Sequence, residues 1–149
     1  MKEVSRMKYV LSVTTATLFM IFLSNSSVAE NDSRQIVKFP EMMQQHMLAN
    51  MRDHLEAINE ILLYIGNDEL DKAAEVAEKR LGMSAMDLHG AKHQAKLMPE
   101  GMRKSGSRMH HAASRFALKA EEGEPLAAYK SLQEITNACV ACHAAYRVN

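Results

Sequence analysis

Apolar residues recur at spacings of three and four through every long segment of this 149-residue chain, the period of one face of an α-helix. Alternating strand patterns and Asn-Gly or Asp-Gly hairpin signals are absent, so the expectation is an all-α fold without strands. A first helix starts after Phe39-Pro40, where proline's fixed φ and missing N–H suit the first turn. It carries Leu48, Met51, Leu55, Ile58, Leu62 and Ile65 as one continuous core stripe and ends at Gly66. A second starts with Asn67 or Asp68 as N-cap. Its narrow stripe is Leu70, Ala73, Ala74, Ala77 and Leu81, and it continues past Gly82, weakened there, to about Lys96. Pro99 and Gly101 break the chain before a third helix from about Met102 to Glu121. "EEGEP" breaks it again before a fourth, from about Pro125 to Tyr146. Helices of about 20 residues joined by short breaks are expected to pack as an antiparallel up-down-up-down four-helix bundle.

The first 29 residues follow another pattern. Lys2, Arg6 and Lys8 precede an apolar run from Tyr9 to Leu23, and the small triplet Ser27, Val28, Ala29 follows; that is the layout of a secretory signal peptide. The run is shorter than the roughly 20 apolar residues of a spanning helix and is interrupted by Ser12, Thr14, Thr15 and Thr17. The expectation is cleavage after Ala29 and delivery to the periplasm, the other reading being an uncleaved N-terminal anchor. Residues 30–39 read as a flexible lead-in and 40–149 as the helical domain.

Cleavage removes three basic and one acidic side chain from the 18 of each sign, leaving 15 basic against 17 acidic. So small an imbalance provides no basic patch for nucleic acid. Export places both cysteines where disulfides can form, but a Cys139–Cys142 bridge closes a tiny loop and constrains the unfolded chain little.

Those two cysteines are the whole supply, and they lie in "CVACHAAYR", Cys139 to Arg147. Cys-x-x-Cys-His is the attachment pattern of c-type haem. Two thiols three positions apart on a helix can add to the vinyl groups of neighbouring pyrroles, and the imidazole after the second can reach the iron as proximal ligand. The motif alone leaves two alternatives open. A thioredoxin-like dithiol needs a βαβ setting, which the pattern lacks. A zinc site needs further ligands, for which His89 with His93, and His110 with His111, are the candidates.

"CVACHAAYR" near the C-terminus of an exported, helical chain resembles the cytochrome c′ family, class II c-type cytochromes whose last helix carries Cys-x-x-Cys-His followed by an aromatic residue and arginine. The resemblance is specific at Cys139, Cys142, His143, Tyr146 and Arg147. It implies one covalently attached haem c per chain, bound through Cys139 and Cys142, with His143 as proximal iron ligand and Arg147 near it setting its electrostatics. It also implies that a residue of the first helix decides the sixth position. A methionine there makes a six-coordinate electron carrier; an apolar block leaves a five-coordinate iron that binds gases such as nitric oxide or carbon monoxide. "HMLANMRDHL" offers Met51 as distal ligand, Met47 as the alternative and Leu48 as a block. Relatives of this kind often form homodimers through their first two helices, so a homodimer is a further expectation.

The other polar residues have plainer readings. His89 and His93 read as a solvated face, His46 and His54 as exposed or capped imidazoles close to the distal region, and Arg52 as an exposed helix arginine. "MPEGMRKSGSRMHH", Met98 to His111, reads as an exposed turn followed by an amphipathic helix, against a sharper reading as a copper or docking patch. No paired carboxylates or nucleophile-base arrangement suggests an enzyme. The leading reading is a periplasmic one-electron carrier serving redox partner proteins, with the gas-binding haem protein as its rival and a haem-free metal or dithiol module third.

Overall fold

The computed structural model describes residues 32–149; the segment read as a signal peptide lies outside them. The described chain is mostly helical. Helix α1 spans Glu41–Gly66, with Pro40 as its N-cap and Glu41 in its first turn, an acidic residue where the helix dipole favours one. Its buried residues are Met47, His54, Ala57 and Ile61, while Leu48, Leu55 and Leu62 are 38%, 70% and 44% exposed. The core face is therefore turned about one residue from the expected leucine stripe, a rotation of roughly 100°. Packing explains the choice: Ala57 and Ile61 join the central core, and a small residue there lets neighbouring backbones approach. Met51, Ile58 and Ile65 border both faces and are half-buried.

The next segment is not the continuous helix to Lys96 that the pattern suggested. Asp68 adopts φ 60°, a left-handed conformation that aspartate tolerates better than most residues, and Glu69 becomes the N-cap of α2, Leu70–Val76. The chain then widens into a π-helical stretch, Ala77–Leu81, and stops at Gly82. A Cβ at Gly82 would stand 2.7 Å from the Glu78 carbonyl oxygen, so the turn closes only over glycine. A 3-10 turn, Met83–Ala85, and a short helix α3, Ala91–Gln94, complete the segment. The narrow stripe does hold: Leu70, Ala73, Ala74, Ala77 and Leu81 are all buried.

Helices α4, Glu100–Ala120, and α5, Pro125–Ala145, start at or just after a proline, as the breaks predicted. Gly101 lies beside the Tyr146 hydroxyl and, further along, Arg115 pairs with Glu134 at 2.5 Å; α4 and α5 therefore run antiparallel. Ile61, Leu81, Phe116 and Ile135 are the largest fully buried side chains, one each from α1, the π-helical stretch, α4 and α5. Arg80 ties the π-helical stretch to α1, meeting Asp53 at 2.5 Å and also bonding Glu60.

Two strands correct the strand-free expectation. β1, Gln35–Val37, pairs in parallel with β2, Tyr146–Val148, directly after α5. In register, Gln35 faces Tyr146, Ile36 faces Arg147 and Val37 faces Val148. The Phe39 N–H donates to the Asn149 side-chain carbonyl at 3.0 Å, and Val37 and Phe39 are buried. The part of the lead-in nearest α1 is thus bound to the chain's last residues. Among the described residues no helix is long and apolar enough to cross a membrane.

Candidate functional site

A cavity of about 370 Å³ opens where the start of α1, the start of α4 and the end of α5 come together. α5 brings its last two turns: Ala138 is buried, Cys139 and Cys142 are half-buried, and His143 is exposed at the rim. All three residues of the Cys-x-x-Cys-His pattern line the cavity. From α1 it receives Met47, Leu48 and Met51, the three residues between which the sequence left the distal position undecided. Met47 is buried among Val37, Phe39 and Met102, whereas Met51 is half-buried.

Methionines make up much of the wall. Met98, Met102 and Met109 come from the segment that the sequence read as an exposed turn and amphipathic helix. That segment divides cleanly. Arg103, Lys104, Arg108 and His111 are exposed, while Met102, Ser105, Met109 and His110 are buried. The amphipathic helix is observed, but the turn before it is not wholly exposed, since Met98 is half-buried at the cavity. Thioether side chains suit an irregular apolar wall because they are flexible and polarisable. Two guanidinium groups, Arg34 and Arg147, complete the lining beside His143, and Arg34 Nη1 reaches the His143 carbonyl at 3.5 Å. Arg52 is exposed and does not line the cavity.

Neither cysteine is in a disulfide. Burial pushes both upward in pKa, with the neighbouring Cys142 adding to the effect on Cys139. A dithiol redox centre wants the opposite, a thiol lowered by nearby positive charge or a helix N-terminus, and these two sit at a helix C-terminus. Protonated thiols against an apolar hollow, an adjacent imidazole and two guanidinium groups fit a c-type haem in donor set and polarity. Cys139 and Cys142 would hold it covalently and His143 would ligate its iron, with Arg34 and Arg147 lining the same end of the cavity.

Against expectation, His54 and His89 are buried, at 8% and 5% exposure, and His110 is buried with them at 7%. Their rings gather at the cavity wall. Ring centroids of His54 and His89 are 4.7 Å apart, those of His89 and His110 5.4 Å, and those of His54 and His110 6.2 Å. Burial lowers the pKa of all three, that of His54 to about 4, with its two neighbouring imidazoles contributing. The imidazole pairs proposed for zinc are split, because His93 and His111 are exposed. The signal for this cluster was present on α1: His54 stands seven residues from both Met47 and Ile61, and so on their face. His89 sits in irregular chain where no periodicity applies.

Compared with known protein families, with curated proteins and with solved structures, the chain gives no match.

Proposed function

We propose that this chain is a periplasmic c-type cytochrome whose helices form an antiparallel up-down-up-down bundle, with one haem c attached through Cys139 and Cys142. The observation that carries the reading is one cavity lined jointly by Cys139, Cys142 and His143 and by the first-helix methionines. When bound, the haem supplies one-electron chemistry by cycling its iron between two oxidation states.

The chain's own residues do the rest. Cys139 and Cys142 fix the group to the last turns of α5, and His143 provides the proximal nitrogen. Arg34 and Arg147 bring positive charge to the same side, which opposes oxidation of the iron and offsets the negative charge of acidic substituents. The methionine wall keeps water from the inner face. Both first-helix methionines belong to the Val37, Phe39 and Met102 cluster or pack against it, but Met47 is buried and Met51 is half-buried at the cavity, so in this reading Met51 would be the sixth ligand. Its thioether raises the potential further. Redox partner proteins, rather than a small-molecule substrate, are then what the surface serves.

The rival reading, a five-coordinate protein that binds nitric oxide or carbon monoxide, is favoured by one observation: Leu48 also lines the cavity. The optical spectrum of the protein produced with haem-attachment machinery tests both. Haem that stays with the chain on denaturation, and is lost in Cys139→Ser with Cys142→Ser, supports attachment; a colourless product refutes it. A low-spin spectrum indifferent to carbon monoxide supports the electron carrier. A high-spin spectrum that shifts with carbon monoxide transfers the conclusion to the gas-binding form.

A further inference from the structure

Three imidazoles buried together need a reason. His54, His89 and His110 come from three separate segments of the chain, each is more than nine-tenths buried, and all three line the cavity. Nε2 of His89 is buried without a hydrogen-bond partner. An unmet buried polar atom costs about 1–3 kcal/mol, and native structures leave few of them. Packing alone would have been served better by leucine.

The surroundings fix how the rings present themselves. The His110 Nδ1–H donates to the Leu81 carbonyl at 2.7 Å, so its Nδ1 carries the proton and Nε2 keeps a lone pair. The His89 carbonyl accepts three hydrogen bonds, from His46 Nε2 at 3.1 Å, Asn50 Nδ2 at 3.0 Å and Gln94 Nε2 at 3.0 Å. The first two hold the irregular segment, and with it the ring, against α1, and the third braces it within its own segment. A ring nitrogen fixed by a backbone carbonyl, with its other nitrogen left bare, is the usual support of a metal-binding histidine.

The spacing agrees. With metal–nitrogen distances of 2.0–2.1 Å in a tetrahedral site, ring centroids stand roughly 5 Å apart, and the observed separations run from 4.7 to 6.2 Å. The nitrogens do not yet converge. No group of three or more His, Cys, Asp or Glu among the described residues stands ready to hold a metal ion, and His54 Nε2 is turned toward His89 Nδ1 at 3.5 Å. Rotation of the His54 and His89 rings about their own side-chain bonds is what binding requires.

We propose that His54, His89 and His110 form a binding site for one transition-metal ion of the zinc and copper class, separate from the Cys139-Cys142-His143 pattern and leaving its fourth position open to the cavity. Neutral imidazoles without a carboxylate or thiolate suit these ions and not magnesium or calcium. Burial keeps the rings in the neutral form that ligation uses. The site does not depend on the haem reading.

The test uses the full exported chain with its thiols occupied, by haem if it is attached and by alkylation if it is not. Zinc(II) and copper(II) are titrated in separate calorimetric experiments, and the imidazole nitrogen resonances of the reduced protein are followed by NMR during the zinc titration. The expected result is one equivalent bound, with the signals of His54, His89 and His110 shifting together. Affinity should fall at least about tenfold in His110→Gln and in His89→Gln and stay unchanged in His93→Gln, with helical circular dichroism intact in each. The relative affinities for the two ions then separate a zinc site from a copper site. No stoichiometric uptake of either ion, or shifts confined to His46, His93, His111 or His143, would overturn the proposal. The NMR readout on the unaltered chain keeps the test decisive if a variant fails to fold.

Discussion

Two regions of the same helices are built on opposite principles. Around Phe116 the chain packs Ile61, Leu81, Ile135 and a set of alanines into a core that is closed to solvent. Around Met47 and Met102 the same helices are lined with methionine, histidine and cysteine and enclose a cavity instead. The closed region uses stiff aliphatic side chains and small residues that let backbones approach, which fixes one arrangement. The open region uses side chains that adapt and side chains that coordinate. Stability is concentrated in one and chemistry in the other, and each helix that bears the site also anchors in the core.

The contrast can be broken most sharply at Phe116. Phe116→Ala is expected to lower unfolding free energy by about 3–5 kcal/mol, read as a shift in denaturant midpoint at unchanged slope. Met98→Ala, half-buried at the cavity, is expected to cost less than about 2 kcal/mol, below the usual range for a core methionine. Equal losses at the two positions would erase the distinction.

Acid is the next lever, because the buried imidazole shifted furthest lies in the open region. His54 holds its folded-state pKa near 4, below its ordinary 6.5, so between these values the unfolded chain binds a proton that the folded chain excludes. Stability of the metal-free protein should therefore fall as pH drops from about 6.5 to about 4, by on the order of 3 kcal/mol for this residue, and level off below. His89 and His110, shifted the same way by burial, steepen the slope. His54→Leu is expected to flatten it in denaturation curves taken across that range. An unchanged slope would mean that His54 takes up its proton in the folded chain.

At the surface of the closed region the effect should be smallest. Arg115 and Glu134 form an exposed pair between α4 and α5, and a double-mutant cycle with alanine should return no more than about 1 kcal/mol, declining with salt. At the site, Met51→Leu is expected to leave stability within about 1.5 kcal/mol while converting a low-spin spectrum to a high-spin one. If Met47→Leu does so instead, the sixth ligand is Met47.

Much of this was legible beforehand. Pro40, Pro99 and Pro125 marked helix starts because proline's constraints are local, and the Leu70-to-Leu81 stripe was legible because three alanines between two leucines recur there at helical spacing. α1 was misread because it has two apolar faces side by side, and hydrophobicity ranks Leu55 and Leu62 above Ala57 and His54. Which face turns inward depends on what packs against it. The same holds for β1, three residues whose partner strand lies more than a hundred positions away.

The sequence by itself determined the chemistry available: two thiols and an imidazole at fixed spacing at the end of a helix, and methionines on the first helix. Covalent spacing and helical period are short-range properties and can be read without a fold. Only the tertiary structure decided what that chemistry faces. It brought residues of α1, α4 and α5 around one hollow and gathered His54, His89 and His110 from three segments. Contacts between distant segments depend on the shapes and volumes of all the side chains at once, which no local pattern carries.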